Sequence, residues 1–142
     1  MNNILKENFE SFKKSIYWLK RSYNKCKEIG IKQEYKPDEY DYFENLCSRY
    51  GRSIDIFINK VLRSIDIIEL ENIGTNLDVV NRAEKRGLIN SADEVIEMKA
   101  LRNEIVHEYV ESRLIEKFEK VLEFSEKILE FYERAEKYIK KY

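Results

Sequence analysis

The sequence predicts an all-α fold, an antiparallel up-and-down helical bundle of four long helices plus one short helix. Three observations over its 142 residues carry that expectation. Four glycines and one proline leave few places for the chain to break. Apolar residues recur at helical spacing along most of the length, and no segment alternates with the period of two that a half-buried strand requires. The length fits a single domain, 1–142, able to bury a core without disulfide or metal staples. A hydrophobic fraction of 43% with 13% aromatic residues excludes a disordered chain, and 37% charged residues make it soluble.

In the first helix Leu5, Phe9, Phe12, Ile16, Leu19, Tyr23 and Cys26 follow one another at alternating steps of four and three, a heptad seam. The helix should run from about Asn3 to Ile29 with Gly30 as its cap, the seam serving as core packing or as a strip at a dimer interface, and Trp18 extending it. Pro37 marks the next start, and Asp38 and Glu39 suit the positive end of the helix dipole. Apolar residues from Phe43 to Ile65 then carry helix 2 to about Ile67. Within it Gly51 marks a kink or a close helix crossing, while Arg49, Arg52 and Arg63 should face solvent or be paired. Residues 72–76 read as a loop, with Thr75 or Asn76 capping a short helix through Val79, Val80 and Ala83 that stops at Gly87. Ser91 and Glu94 fit a capping box that opens a helix from about Ala92 to Glu108. After a break at Glu111-Ser112, a last long helix buries residues from Leu114 to Ile139 and solvates a Glu- and Lys-dense face.

The composition restricts function. With 26 basic and 27 acidic residues the chain is formally −1, so any RNA contact must be local and short rather than a broad electrostatic one. Cys26 and Cys47 fall at apolar helical positions and read as reduced core residues, which together with the lack of a signal peptide and of any long apolar run points to a cytoplasmic protein with no membrane partner. One histidine and two separated cysteines do not supply zinc ligands, so no metal is expected. Neither a Gly-rich phosphate loop nor a Gly-x-Ser-x-Gly elbow is present, and no cofactor is expected.

What remains is the stretch 100–109, which holds the only histidine. On a helix, Val95, Met98, Leu101, Ile105, Val106 and Tyr109 share one broad apolar face with Arg102 in its middle. A guanidinium there needs a carboxylate, a phosphate or a polar cavity opposite it, because burying an unpaired charge costs several kcal/mol. Asn103 and His107 are i, i+4 neighbours, and Arg102 and Tyr109 should stack two turns apart. His107 lies about 140° round the helix from Arg102, so a ligand lying across Asn103, or a second copy of the chain, is needed to bring the two together. The plainest alternative is structural: His107 satisfies the helix end, Arg102 pairs with a core glutamate and Tyr109 packs.

The pattern Arg102-Asn103-x-x-x-His107-x-Tyr109 resembles the signature of the HEPN superfamily, Arg, a polar residue, three variable residues and His near the end of a bundle helix. Its His-x-Tyr extension is similar to the HepT toxins that are partnered with minimal nucleotidyltransferase antitoxins of the MntA type. The upstream segment 83–89 and the acidic lead into the motif helix also look like the non-toxin HEPN subunits described as nucleotidyltransferase substrate-binding proteins. The resemblance implies a homodimer with two motifs around one cleft and metal-independent RNA cleavage. In it His107 acts as general base or acid, Arg102 holds the scissile phosphate and Asn103 orients the phosphate or His107. It further implies a nucleotidyltransferase antitoxin that attaches AMP to Tyr109, placing a bulky anion beside the cleft. The alternative implied by the second likeness is a non-catalytic nucleotide- or substrate-binding partner of a nucleotidyltransferase.

Overall fold

A computed structural model of the chain describes residues 3–142. Helix α1 (Asn3–Ile29) packs along α2 (Pro37–Ile56), which runs on without a break through a π-helical stretch (Phe57–Leu62) into α3 (Arg63–Ile68). A short α4 (Asn76–Lys85) leads to α5 (Ala92–Val106), and the long α6 (Glu111–Tyr138) closes the bundle and ends in a 3-10 turn (Ile139–Lys141). Among the described residues there is no strand. The α1, α2–α3, α5 and α6 rods are the four long members of the all-α bundle, and α4 is the short one.

The seam on α1 faces inward. All of Leu5, Phe9, Phe12, Ile16, Leu19, Tyr23 and Cys26 are buried, so the heptads serve the core of this chain and not a dimer strip. Aromatic rings tie the rods together: Phe57 stacks between Phe12 of α1 and Phe131 of α6 at 5.3 Å from each, and Phe43 stacks on Phe118 at 4.8 Å. Each fully buried ring of this kind stabilises the fold by roughly 1.5–3 kcal/mol through lost apolar surface. Trp18 departs from expectation. It lies 43% exposed beside the seam, because its side of α1 carries Arg21 and meets Arg49 of α2 rather than a third rod.

The helix ends follow local chemistry. Gly30 (φ 82°) and Gly87 (φ 78°) adopt the left-handed conformation that closes α1 and α4, with the Leu88 amide bonded back to the Ala83 carbonyl at 3.0 Å. Thr75 caps α4 through a reciprocal pair, its Oγ1 accepting from the Asp78 amide at 3.3 Å while Asp78 Oδ2 accepts from the Thr75 amide at 2.9 Å. The π-helical stretch has no sign in the apolar spacing. Phe57, Ile58, Val61 and Leu62 of this stretch are buried in the core while Asn59 and Lys60 stay outside.

A charged network, unforeseen in the sequence, locks α3, α4 and the C-terminal turn. Arg86 Nη1 meets the buried Asp66 carboxylate at 2.5 Å and its Nε meets Glu69 at 2.9 Å, while Arg82 reaches Asp66 at 3.2 Å. The hydroxyls of Tyr138 and Tyr142 donate to the same Glu69. Burial raises the Glu69 carboxyl, but these two hydroxyls and the Arg86 guanidinium outweigh it and hold it below the usual carboxylate range. Arg63 is likewise engaged, donating to the Gly74 carbonyl at 3.2 Å and Asn76 Oδ1 at 2.8 Å, which pins the α3–α4 loop.

Candidate functional site

The site is built where α5 crosses α2. Ser91 starts α5 by accepting from the Glu94 amide at 3.2 Å, but the expected capping box is only half made. Instead of Glu94 reaching back, Glu84 of α4 accepts from the Ala92 amide at 2.9 Å, so the neighbouring helix completes the cap. Ala92, Val95, Met98 and Leu101 form the buried face, and the buried Tyr50 hydroxyl of α2 donates to the Met98 carbonyl at 2.6 Å. That bond sets the depth at which α5 sits on α2.

One turn further on, the Arg102 stem lies against the backbone of α2. A Cβ at Gly51 would stand 3.2 Å from Arg102 Cγ, so Gly51 marks a close approach and not a kink. Asp55, one turn after Gly51, supplies the partner that Arg102 requires: its Oδ2 is 2.9 Å from Arg102 Nε, and its Oδ1 is paired with Lys99. Although close, the buried Nε–H does not point along the line to the carboxylate, so the contact is an ion pair rather than a directed hydrogen bond. The two Nη groups have no protein partner among the described residues, and the side chain is 31% exposed. Arg102 borders an open groove of about 580 Å³ between α2, the end of α5 and the start of α6, lined by Ser48, Arg52, Asp55, Val106 and Glu108 among others.

Beyond Arg102 the helix stops earlier than the apolar pattern implies. It ends at Val106, and His107 is its C-cap with φ −101° and ψ 5°. The expected helix to Glu108 would have carried Tyr109 onto the face of Arg102. In the structure Tyr109 lies outside the helix and is 88% exposed, so the stacking of Tyr109 over Arg102 is not formed. The cause is the turn into α6. Glu108 folds inward, accepting from Lys117 Nζ at 3.0 Å and from the Val110 amide at 3.4 Å, and its neighbour in the extended linker is turned out to solvent. The Lys117 ammonium, supported by the Val110 amide, holds the Glu108 carboxyl below its ordinary range against the opposing effect of burial.

Asn103 and His107 are exposed, and the His107 imidazole makes no hydrogen bond or ion pair among the described residues. With Ile96 and Ala100 they form a solvent-facing row at steps of four, three and four along α5. Within one chain, therefore, the motif is not gathered into one cleft. Arg102 borders the groove, while Asn103, His107 and Tyr109 lie outside its lining. Asp55 and Lys99 were missed in the sequence. The i, i+4 step from Gly51 to Asp55 could have found the carboxylate, since it places an acid on the strip of α2 that a close crossing exposes.

Both cysteines are free and buried, and burial pushes each thiol up to about 12, so neither is a thiolate nucleophile. Among the described residues no three His, Cys, Asp or Glu side chains gather as metal ligands, and no helix is long and apolar enough to cross a membrane.

Fold and site together define an all-α bundle with an arginine-bordered groove beside a solvent-facing Asn/His row. No family model, no curated protein and no solved structure matches this chain.

Proposed function

We propose that the chain is a metal-independent endoribonuclease of the HEPN type, working as a homodimer in the cytoplasm and restrained by a nucleotidyltransferase that adenylates Tyr109. The observation that carries this reading is the state of the motif side chains. A purely structural role would engage them, yet His107 and Asn103 stand in solvent without partners and Arg102 keeps both Nη groups open while Asp55 fixes its Nε. A fork held on one side and open on the other suits a phosphate, which takes two parallel N–H bonds.

The row of Ile96, Ala100, Asn103 and His107 supports the dimer, since two such rows meeting face to face would bring the two imidazoles of the pair together. In that cleft His107 would take the proton from a ribose 2′-hydroxyl as the oxygen attacks phosphorus, and the partner's imidazole would protonate the departing 5′-oxygen. Arg102 would stabilise the charge growing on the phosphoryl oxygens. The products are a 2′,3′-cyclic phosphate and a 5′-hydroxyl. Tyr109, displayed on the linker directly after His107, is open to a transferase, and an AMP there would add an anion beside the cleft.

The test is incubation of the purified protein with total tRNA and with its 2′-deoxy counterpart in the absence of added metal. RNA alone should be cut, and His107→Ala should abolish cutting while leaving the thermal midpoint unchanged. Cutting that survives in His107→Ala, or that includes the deoxy strand, refutes the assignment. One observation favours the second reading, a non-catalytic partner subunit: Arg102 is paired within its own chain and shares no groove with His107. No cleavage of any RNA, combined with tight association with a nucleotidyltransferase, is the outcome that selects it.

A further inference from the structure

A second surface concentrates chemistry that the motif does not use. Between α1 and α2 a groove of about 450 Å³ is bordered by Arg21, Lys25, Tyr42 and Arg49, with Glu28 as the one carboxylate in its lining. Each of the three cations lies over an aromatic ring. The Arg49 guanidinium is 5.0 Å and that of Arg21 5.9 Å from the Trp18 ring centre, and Lys25 Nζ is 4.9 Å from that of Tyr42. The rings are accessible, Trp18 at 43%, Tyr42 at 40% and Tyr17, which meets Trp18 edge-on, at 59%.

None of these cations has a carboxylate within ion-pair distance among the described residues, in a chain whose Arg82, Arg86, Lys99 and Arg102 are all so paired. Arg49 is also fixed in place. Its Nη1 donates to Ser22 Oγ at 2.8 Å and to the Trp18 carbonyl at 3.4 Å, which leaves Nε and Nη2 without a protein partner among the described residues. The result is a partly exposed indole beside the groove, flanked by two guanidinium groups that have no carboxylate partner among the described residues. Such a surface matches a chain that alternates planar bases with phosphates, since bases stack on aromatic and guanidinium planes and phosphates take the N–H donors. An acidic protein segment would satisfy the cations, but its carboxylates gain nothing from Trp18, whereas each phosphate of a nucleic acid comes with a base that stacks.

We propose that the α1–α2 groove binds a short single-stranded stretch of the RNA, phosphates on Arg21, Lys25 and Arg49 and one base against the exposed part of Trp18 beside the groove. The choice of RNA rests on the nuclease reading. The groove holds the strand away from the point of cutting and accounts for local RNA affinity in a chain with no overall positive charge.

Trp18 is the only tryptophan, which makes its fluorescence a direct probe. The full chain carrying His107→Ala is titrated with a single-stranded 12-nucleotide RNA at several salt concentrations, with an acidic peptide as control. The RNA should quench Trp18 saturably and the peptide should not. Arg21→Gln with Lys25→Gln, shown folded by circular dichroism, should weaken binding about tenfold and flatten the salt dependence by about 1.4, roughly 0.7 for each lost phosphate contact. Unchanged affinity in that double variant, no quenching, or equal quenching by the peptide overturns the proposal. The nuclease reading fails separately: saturable quenching without RNA cleavage by the His107-bearing chain sinks catalysis and leaves the groove standing. Cleavage and binding both indifferent to Arg21 and Lys25 do the reverse.

Discussion

Replacing Gly51 by alanine isolates the contact that positions Arg102. Gly51 sits in the interior of α2, where alanine is favoured over glycine by about 0.8–1.0 kcal/mol from helix propensity alone. The added Cβ, however, would stand 3.2 Å from Arg102 Cγ, short of the 3.5–4.0 Å at which two carbons attract, so the arginine stem must move by a few tenths of an ångström. Because Arg102 is 31% exposed it can yield, and we assign the displacement, including the weakened pair with Asp55, about 0.5 kcal/mol. Gly51→Ala should then stabilise the protein by less than about 0.5 kcal/mol, but by the full 0.8–1.0 or so when Arg102 has first been changed to alanine. Urea unfolding of the four chains in a double-mutant cycle measures the difference. A coupling of about 0.5 kcal/mol corresponds to a midpoint difference of about 0.3 M at a slope near 2 kcal/mol per molar. Equal stabilisation in both backgrounds would falsify the claim that the Arg102 stem rests on Gly51.

Two further outcomes concern the charged network. Arg86→Ala should cost about 3 kcal/mol in urea unfolding, since it strips a largely buried cation from the buried Asp66 and from Glu69, whereas Arg82→Ala, at a more exposed position, should cost clearly less. On acidification, the depressed Glu69 carboxyl contributes stability that is fully present above the unfolded carboxyl value near about 4.3 and is lost as pH falls through its lower folded value. The gap in urea midpoint between the native chain and Glu69→Gln should therefore narrow below about pH 4 and be constant from about pH 5 to 7.

The motif positions show where a linear reading stops. The pattern set Arg102 in an apolar stripe and required a partner for it, and the structure pairs it with Asp55. Naming Asp55 depended on which helix α5 crosses, and an acid on α2 carries no mark of its neighbour. Tyr109 was misplaced for a related reason. Helical spacing continues through Val106 and could continue to Tyr109, but the pull of Lys117 on Glu108 ends α5 early and turns the tyrosine outward. Trp18 failed similarly, since an aromatic beside a seam joins the core only if another rod covers it.

Sequence alone determined the all-α class, the order of the long and short helices, the apolar seam of α1 and the glycine caps, because each depends on residues within one turn or one repeat of each other. The tertiary structure alone decided the π-helical stretch in the second rod, the Asp66–Arg86–Glu69 lock, the seat of Arg102 on Gly51 and the separation of Arg102 from His107 in one chain. Those features join residues far apart along the chain, and their energies exist only after the rods have met.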